Sequence, residues 1–165
     1  MKSILLGLGS NRSFCNLDSL QILNLACEEL RQIVLDPVFS SVYKTKAMYV
    51  TDQEDFYNMA VYGFVPDEES PYKYLDKIHK IEEKYGRDRQ NEIRFGSRSL
   101  DIDIEKFGNI VSNDPALTLP HPRIKERAFV LVPALEILPE PAENKLREEF
   151  SKALNIVGKG GVQKL

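Results

Sequence analysis

The stretch RFGSRSLDIDIEKFG, residues 94–108, combines a strand pattern with an unusual distribution of charge. In a β-strand successive side chains point to opposite faces, so Ile102 and Ile104 share one face while Asp101 and Asp103 share the other. The isoleucines predict a face that packs against the core. The paired aspartates make the other face the first place to look for a binding site.

Two interpretations of the aspartate pair stay open from the residues alone. Their α-carbons would lie roughly 6.5 Å apart, and two charges at that separation repel by something like 0.5 to 2.5 kcal/mol. A solvent-exposed strand tolerates such a cost. Carboxylates on a rigid strand are also the usual way to hold Mg²⁺, which prefers oxygen ligands and leaves much of its coordination to water and substrate phosphates. Two ions about 3.5 to 4 Å apart could bridge such a pair.

Positive charge is concentrated close to the aspartates, although the chain as a whole carries a net charge of −3. The acidic balance argues against a nucleic-acid partner, since domains that bind nucleic acids usually carry a basic excess. The basic residues form two groups, which are Lys80, Lys84, Arg87, Arg89, Arg94 and Arg98, and then Arg123, Lys125 and Arg127. They predict a small polyanionic ligand, with a solvated surface loop as the alternative.

Composition indicates one ordinary globular domain over residues 1–165. A chain of 165 residues with 42% hydrophobic and 28% charged residues is long enough to bury a single core. Cys15 and Cys27 lack the spacing of a redox or zinc site, so we expect reduced thiols. No run approaches the roughly 18 consecutive apolar residues of a membrane span. We therefore expect a cytoplasmic protein without a membrane partner.

Hydrophobic periodicity predicts a succession of strands and helices. Asn16 is the expected N-cap of the first helix, and Pro71 is expected to open the second. The predicted elements are a strand at 4–8, a helix at 17–33, strands at 38–43 and 56–65, a helix at 71–85 and a strand at 100–107. This order predicts an α+β fold, a ferredoxin-like split βαβ sandwich. Its sheet would be mainly antiparallel, with the helices on one face and a short C-terminal helical extension from Pro120.

Several well-known catalytic motifs are missing. GLGSNRSF lacks the pattern of a P-loop and has Arg12 where a dinucleotide fingerprint needs its third glycine. The chain has two histidines. His79 flanks the apolar stripe of the second helix and is interpreted as a structural residue. His121 lies between two prolines with Arg123 and Arg127 close behind, so a phosphate contact and a structural role are equally supported.

Five blocks of sequence cover most of the chain and occur in a characteristic order. They are LGLGSN at 6–11, YKTKAMYVTDQEDFYNMAV at 43–61, IEEKYGRDR at 81–89, RFGSRSLDIDIEKFG at 94–108 and LPHPRIKERAFVLVPALEI at 119–137. Together they resemble the 6-hydroxymethyl-7,8-dihydropterin pyrophosphokinase family of folate biosynthesis. The resemblance implies transfer of pyrophosphate from ATP to the hydroxymethyl group of the reduced pterin, with release of AMP.

The resemblance also implies roles for individual residues at the nucleotide end. Asp101 and Asp103 would hold two Mg²⁺ ions that bridge the phosphates of ATP, the co-substrate. Arg98 would contact the phosphates, and Arg87 or Arg89 would close over the transferring group from a mobile loop. The remaining residues assigned to the nucleotide are Glu82, His121 and Arg127.

At the pterin end, the resemblance assigns Thr45, Asn58, Phe56, Phe95 and Phe129. An amide presents a donor and an acceptor side by side, which suits the edge of a pterin, while aromatic rings stack on its flat face. The polar loops at 44–55 and 86–99 are expected to be mobile without ligand and to close on ATP and pterin.

The chain departs from the family pattern at a few positions. Phe95, Ser97 and Ala47 replace a usual tryptophan and two prolines, which affects stacking and loop stiffness and leaves the reaction as implied. Glu105-Lys106 replaces two usually apolar residues beside the metal strand, and the sequence offers no functional account of that change. Two rivals stay open, an RNA-binding module that uses the basic loop and a relative that has lost catalysis. We expect a monomer.

Overall fold

The computed structural model describes residues 1–46, 54–94 and 96–165. The elements of its first half, in chain order, are β1 (Lys2–Ser10), α1 (Ser19–Leu30), β2 (Leu35–Phe39), β3 (Tyr43–Thr45), β4 (Phe56–Val65), α2 (Pro71–Lys84) and β5 (Asp101–Phe107). Those of its second half are β6 (Ser112–Asp114), β7 (Leu117–Leu119), a 3-10 turn (Ile124–Glu126), α3 (Ala128–Ile137), α4 (Asn144–Val157) and β8 (Gln163–Lys164).

The main sheet runs in the order β5-β1-β4-β3-β8, with β2 also paired to β4, and every pairing between these described strands is antiparallel. The long strand β1 lies between β5 and β4, and its register sets Gly9 beside both Asp101 and Asn58. The prediction of an α+β fold with an antiparallel sheet is confirmed. The register also explains how side chains from distant parts of the sequence meet at one end of the sheet.

One face of the sheet packs against α1 and α2. The alternating residues Ile4, Leu6 and Leu8 of β1 point into this core, where they meet Ile22 of α1 and Ile78 of α2. All of these side chains are at least 98% buried. Apolar contact on this side stabilises the fold, at about 25 cal/mol per Å² of apolar surface removed from water.

The opposite face is covered by the C-terminal helices. Leu5 and Tyr62 point to this side and pack with Leu131 of α3 and with Phe150 and Leu154 of α4. The structure thus has α1 and α2 on one face and helices in the C-terminal segment, as expected, but the sequence did not predict that this segment covers the second face. Because side chains of a strand alternate between its two faces, the apolar residues that point to the second face must also be shielded from water. Helices α3 and α4 shield them.

Two local features differ from the sequence predictions, namely the N-cap of α1 and the strand predicted at 38–43. Asp18, not Asn16, caps α1, because Asp18 accepts the backbone N–H of Gln21 while the Gln21 side chain accepts that of Asp18. Asn16 has a φ of 63° and belongs to the preceding turn. The predicted strand at 38–43 is two strands, since β2 ends at Phe39 and β3 begins at Tyr43.

No helix among the described residues is long and apolar enough to cross a membrane.

Candidate functional site

A cavity opens over the polar side of β5 and the adjoining part of β1. Its charged lining residues are Lys46, Arg98, Asp101, Asp103, Glu105 and Arg127. The aspartates face the cavity because Ile102 and Ile104 occupy the other face of the strand, where they are 3% and 4% exposed in the core. The predicted division of this strand into a core face and a site face is confirmed.

Asp101 is held by two arginines. Its Oδ1 lies 2.5 Å from Nη1 of Arg87, and its Oδ2 lies 3.1 Å from Nη1 of Arg98. Burial pushes the pKa of Asp101 upward, but the two guanidinium groups outweigh it and hold the pKa below its ordinary value. Asp101 is therefore an ionised carboxylate at neutral pH, the form that can bind a cation.

Asp103 has a different electrostatic environment, although it lies only two residues further along the strand. Its Oδ2 is 3.5 Å from Nη1 of Arg127 and 4.0 Å from Nε2 of His121. Burial raises the pKa of Asp103 to about 7, and the negative charge of Asp101 acts in the same direction. Nearby positive charge, such as that of a divalent cation, would favour its ionised form.

His121 lies beside this second carboxylate and is neutral. Burial lowers its pKa to about 4, and the charge of Arg127 contributes in the same direction. The Nδ1 atom accepts the backbone N–H of Arg123 at 3.2 Å, so the ring proton is on Nε2 and faces Asp103. His79 is half-buried on α2 and does not line the cavity.

Glu82 anchors the arginines that precede β5. It is fully buried, and its carboxylate accepts from Nη1 of Arg87 at 3.1 Å, from Nη2 of Arg89 and from the backbone N–H of Ile102 at 2.7 Å. The side chain of Arg87 is only 8% exposed and also pairs with Glu92. For Arg87 the alternative of a solvated loop is therefore wrong, because this guanidinium is part of a buried network.

Four of the residues assigned to the pterin meet in the same cavity. Thr45, Phe56, Asn58 and Phe129 all line it. The Nδ2 of Asn58 donates to the Oγ1 of Thr45 at 2.8 Å, and both side chains are buried. Antiparallel pairing of β3 with β4 sets Thr45 opposite Phe56, which explains why residues of these two strands converge here.

Some of the predicted residues cannot be placed. Phe95 and Ala47 lie outside the described residues, and so do parts of the two loops that were expected to be mobile. Arg89 is brought to Glu82 but does not line the cavity, and Glu82 itself lies beneath the surface.

Glu105 is the site residue that sequence reasoning did not assign. It is 1% exposed and lines the cavity, and neither of its carboxylate oxygens has a hydrogen-bond partner among the described residues. Burial raises its pKa well above the ordinary value, and the charge of Asp103 adds to that effect. The signal was present in the sequence, because positions 101, 103 and 105 alternate onto one face of a strand.

The donor set fits a magnesium ion that also binds phosphate. Within the described residues, no group of three or more His, Cys, Asp or Glu side chains is arranged to hold a metal by itself. Mg²⁺ does not require one, since it is usually bound by one or two carboxylates together with water and substrate phosphates. Asp101 and Asp103 match that pattern, and the surrounding arginines match the phosphates.

Comparison with known proteins gives a consistent result. Residues 5–139 match the family model described as 7,8-dihydro-6-hydroxymethylpterin-pyrophosphokinase (HPPK). A 2-amino-4-hydroxy-6-hydroxymethyldihydropteridine pyrophosphokinase of Haemophilus influenzae is 41% identical over 98 residues, which is 59% of this chain and 59% of that protein. The enzyme of the same name from Aquifex aeolicus is 32% identical over 153 residues, with 91% of each chain covered.

A solved structure shows a similar fold. The crystal structure of Plasmodium falciparum HPPK-DHPS with SDX-DHP superposes with a TM-score of 0.61 and 16% identity, and it covers 99% of this chain but 47% of the Plasmodium chain. This chain therefore spans less than two thirds of the length of the Haemophilus relative and less than half of the Plasmodium protein.

Proposed function

This chain belongs to the 7,8-dihydro-6-hydroxymethylpterin-pyrophosphokinase family, and from that premise we propose that it transfers pyrophosphate from ATP to 6-hydroxymethyl-7,8-dihydropterin. The products would be AMP and the pterin diphosphate, an intermediate of folate biosynthesis. The observation that carries the proposal is a single cavity lined both by a carboxylate pair with arginines and by a buried amide with aromatic rings.

At the phosphate end, Asp101 and Asp103 would hold two Mg²⁺ ions. Bound there, the ions would neutralise the triphosphate and acidify the pterin hydroxyl. Arg98 lines the cavity beside Asp101 and is placed to bind phosphate oxygens through its fork of N–H donors. Arg127 lies beside Asp103 in a corresponding way. These side chains would act mainly by orienting the reactants and compensating charge.

The roles proposed for Arg87 and Arg89 rest on their contacts with carboxylates near the cavity, since neither side chain lines it. Both are tied to Glu82 in this structure, and Arg87 also contacts the carboxylate of Asp101. A cation bound at Asp101 would compete with Arg87 for the same oxygen. We propose that Arg87 then turns toward the phosphates, while Glu82 keeps Arg89 at the nucleotide side together with His121.

At the pterin end, Asn58 and Thr45 would bind the polar edge of the heterocycle. Asn58 already donates to Thr45 and is held on the rigid strand β4, so its amide is preorganised. Phe56 of β4 and Phe129 of α3 both line the cavity and would stack on the ring. Phe95 is assigned to the same ring on the strength of the family resemblance.

Several finer assignments belong to the same proposal. A ferredoxin-like classification of the first half is supported by the antiparallel order β5-β1-β4-β3 with α1 and α2 on one face. We further propose a single domain over residues 1–165, a monomer, a cytoplasmic location and closure of the loops at 44–55 and 86–99 over the ligands. Size-exclusion chromatography and hydrogen exchange with and without both ligands test the assembly and the closure.

The decisive experiment is incubation with ATP, Mg²⁺ and the hydroxymethyl dihydropterin while AMP is measured. We expect AMP only when the pterin is present. Binding of both ligands without AMP would identify a relative that has lost catalysis. Salt-dependent RNA binding without ATP turnover would identify the RNA-binding alternative. Either of these results overturns the proposed function.

A further inference from the structure

Glu105 is a buried carboxyl group in an unusual position. It is 1% exposed, it lies on the cavity side of β5 after Asp103, and both of its side-chain oxygens lack a hydrogen-bond partner within the described parts of the chain. The imidazole of His121 lies nearby, with its Nδ1 3.9 Å from Oε2 of Glu105. That distance is too long for a hydrogen bond, and this Nδ1 already accepts from the backbone of Arg123.

The neighbouring strand leaves room for this side chain. A Cβ atom at Gly7 of β1 would lie 2.9 Å from Oε1 of Glu105, so any larger residue at this position would displace the carboxyl group. A β-bulge between β1 and β5 falls at the same place, where Leu6 pairs with Ile104 and Leu5 pairs with Lys106. The glycine and the bulge together direct Glu105 to the cavity.

Stability of the fold does not explain a glutamate here. A buried carboxyl without hydrogen bonds costs free energy, and an apolar residue of similar volume in its place is generally neutral or stabilising. The cavity that Glu105 lines is also lined by the apolar side chains of Leu8, Phe129 and Val130. A residue that costs stability and lines the reaction cavity is a candidate for a role toward the ligand.

The position of Glu105 favours an indirect contact with the metal. Asp101, Asp103 and Glu105 do not form a group that could coordinate one ion directly. Mg²⁺ gives up its water reluctantly and normally keeps several water molecules in protein sites. These water molecules donate hydrogen bonds, and the acceptors that receive them orient the metal and its ligands.

We propose that Glu105 accepts hydrogen bonds from water molecules bound to the divalent cation at Asp103, and so acts as a positioning residue for the metal. This inference rests on the proposed function, since it needs a cation at Asp103. Water molecules bound to the metal would then supply the hydrogen bonds that the two oxygens of Glu105 lack among the described residues. This contact also gives a role to a residue that departs from the usually apolar pattern at this position of the resembled family.

The test is a titration with Mn²⁺ in the presence of a non-hydrolysable ATP analogue. The concentration of free Mn²⁺ is measured by electron paramagnetic resonance at each step. Glu105→Leu removes the acceptor, and Glu105→Gln keeps one acceptor in the same shape. We expect Glu105→Leu to weaken Mn²⁺ binding by about 10- to 100-fold, as is typical when a partner of a metal ligand is removed. Glu105→Gln should lose less, and the melting temperature of Glu105→Leu should be equal to or above that of the parent chain.

Two controls separate this inference from the proposed function. Glu148→Gln removes one negative charge from an exposed pair on α4 and should leave Mn²⁺ binding unchanged. Asp103→Asn should greatly reduce binding. If Asp103→Asn weakens binding while both Glu105 variants bind as the parent does, the role of Glu105 is wrong and the metal site stands. If Asp103→Asn also binds normally, the metal assignment itself fails.

Discussion

The two faces of β5 serve opposite purposes with the same backbone. On one face Ile102 and Ile104 are packed against α1 and α2 in an apolar core. On the other face Asp101, Asp103 and Glu105 line a cavity together with arginines. The first face stabilises the fold, since burying an isoleucine side chain contributes about 1.5 to 3 kcal/mol. The second face concentrates charge, and its carboxyl groups lose hydration without gaining apolar contact.

This difference shows how a strand can hold a reactive site rigidly. The apolar face fixes the position of the backbone, and strand alternation then places the carboxylates without any contribution from their own packing. Substitutions on the two faces should therefore separate function from stability.

Replacing the carboxylates should abolish most activity and preserve the fold. Asp101→Asn and Asp103→Asn should each lower turnover by about 100- to 1000-fold, the range seen when one group that stabilises transition-state charge is removed. Both side chains are partly exposed, at 25% and 35%, so their replacement leaves no cavity in the core. Assays of AMP release and thermal melting check both parts. Normal turnover in both variants would contradict the metal assignment.

Truncating the opposite face should have the reverse effect. Ile104→Ala removes a side chain that is 4% exposed in the core, and it should lower the free energy of unfolding by about 2 to 4 kcal/mol. Turnover per folded molecule should change little at a temperature where the variant is still folded. Denaturant unfolding and kinetics on the same sample provide the comparison. A large loss of turnover with unchanged stability would mean that the two faces are not separable.

The pterin end should respond independently of the phosphate end. Asn58→Ala removes an amide that is 5% exposed and donates to Thr45. We expect pterin affinity to fall by about 10- to 100-fold, which corresponds to roughly 1 to 3 kcal/mol for an unpaired buried polar group. Nucleotide and Mn²⁺ binding should stay as in the parent chain. Calorimetric titration with each ligand separately tests this, and an equal loss for both ligands would contradict it.

A carboxylate outside the cavity should contribute to stability alone. Glu136 of α3 accepts from the hydroxyl of Tyr43 at 2.6 Å and from the backbone and hydroxyl of Ser41. Glu136→Gln should lower the free energy of unfolding by about 1 kcal/mol at neutral pH, because hydrogen bonds to an ionised acceptor are weakened. Turnover should be unaffected by this change.

The difference in unfolding free energy between the parent chain and Glu136→Gln should depend on pH with a definite sign. Burial raises the pKa of Glu136, but the hydrogen bonds from Tyr43 and Ser41 outweigh it and hold the pKa below the ordinary value of 4.5. The stabilisation is therefore present above pH 4.5 and is lost as the pH falls through the lower pKa of the folded state. Unfolding of parent and variant at about pH 7 and about pH 3 should show the difference shrinking at the acidic end. A difference that grows on acidification would contradict the assignment.

Local patterns predicted the elements that carry the site. Alternation identified the two faces of β5, and the apolar run at 56–65 gave the bounds of β4. Pro71 marked the start of α2. The family resemblance added the chemistry. It assigned Thr45 and Asn58 to one ligand although neither belongs to a motif of its own, and both line one cavity.

Features that depend on the packing of distant segments were not predictable in this way. The cover of α3 and α4 on the second face follows from tertiary contacts with Leu5 and Tyr62. The pairing of Arg87 with Asp101 joins a loop to a strand across a turn whose path the sequence does not specify. The bulge at Glu105 arises from a register shift between strands that are far apart along the chain. The cap at Asp18 was available locally, since Gln21 completes its capping box.

The most direct test of the account is a crystal structure of the chain with Mg²⁺, a non-hydrolysable ATP analogue and the pterin. We predict carboxylate oxygens of Asp101 and Asp103 about 2.0 to 2.1 Å from Mg²⁺, with Arg87 moved from Asp101 to the phosphates. A complex in which both aspartates keep their arginine partners while the ions bind elsewhere would contradict the central claim that this face of β5 is the metal site.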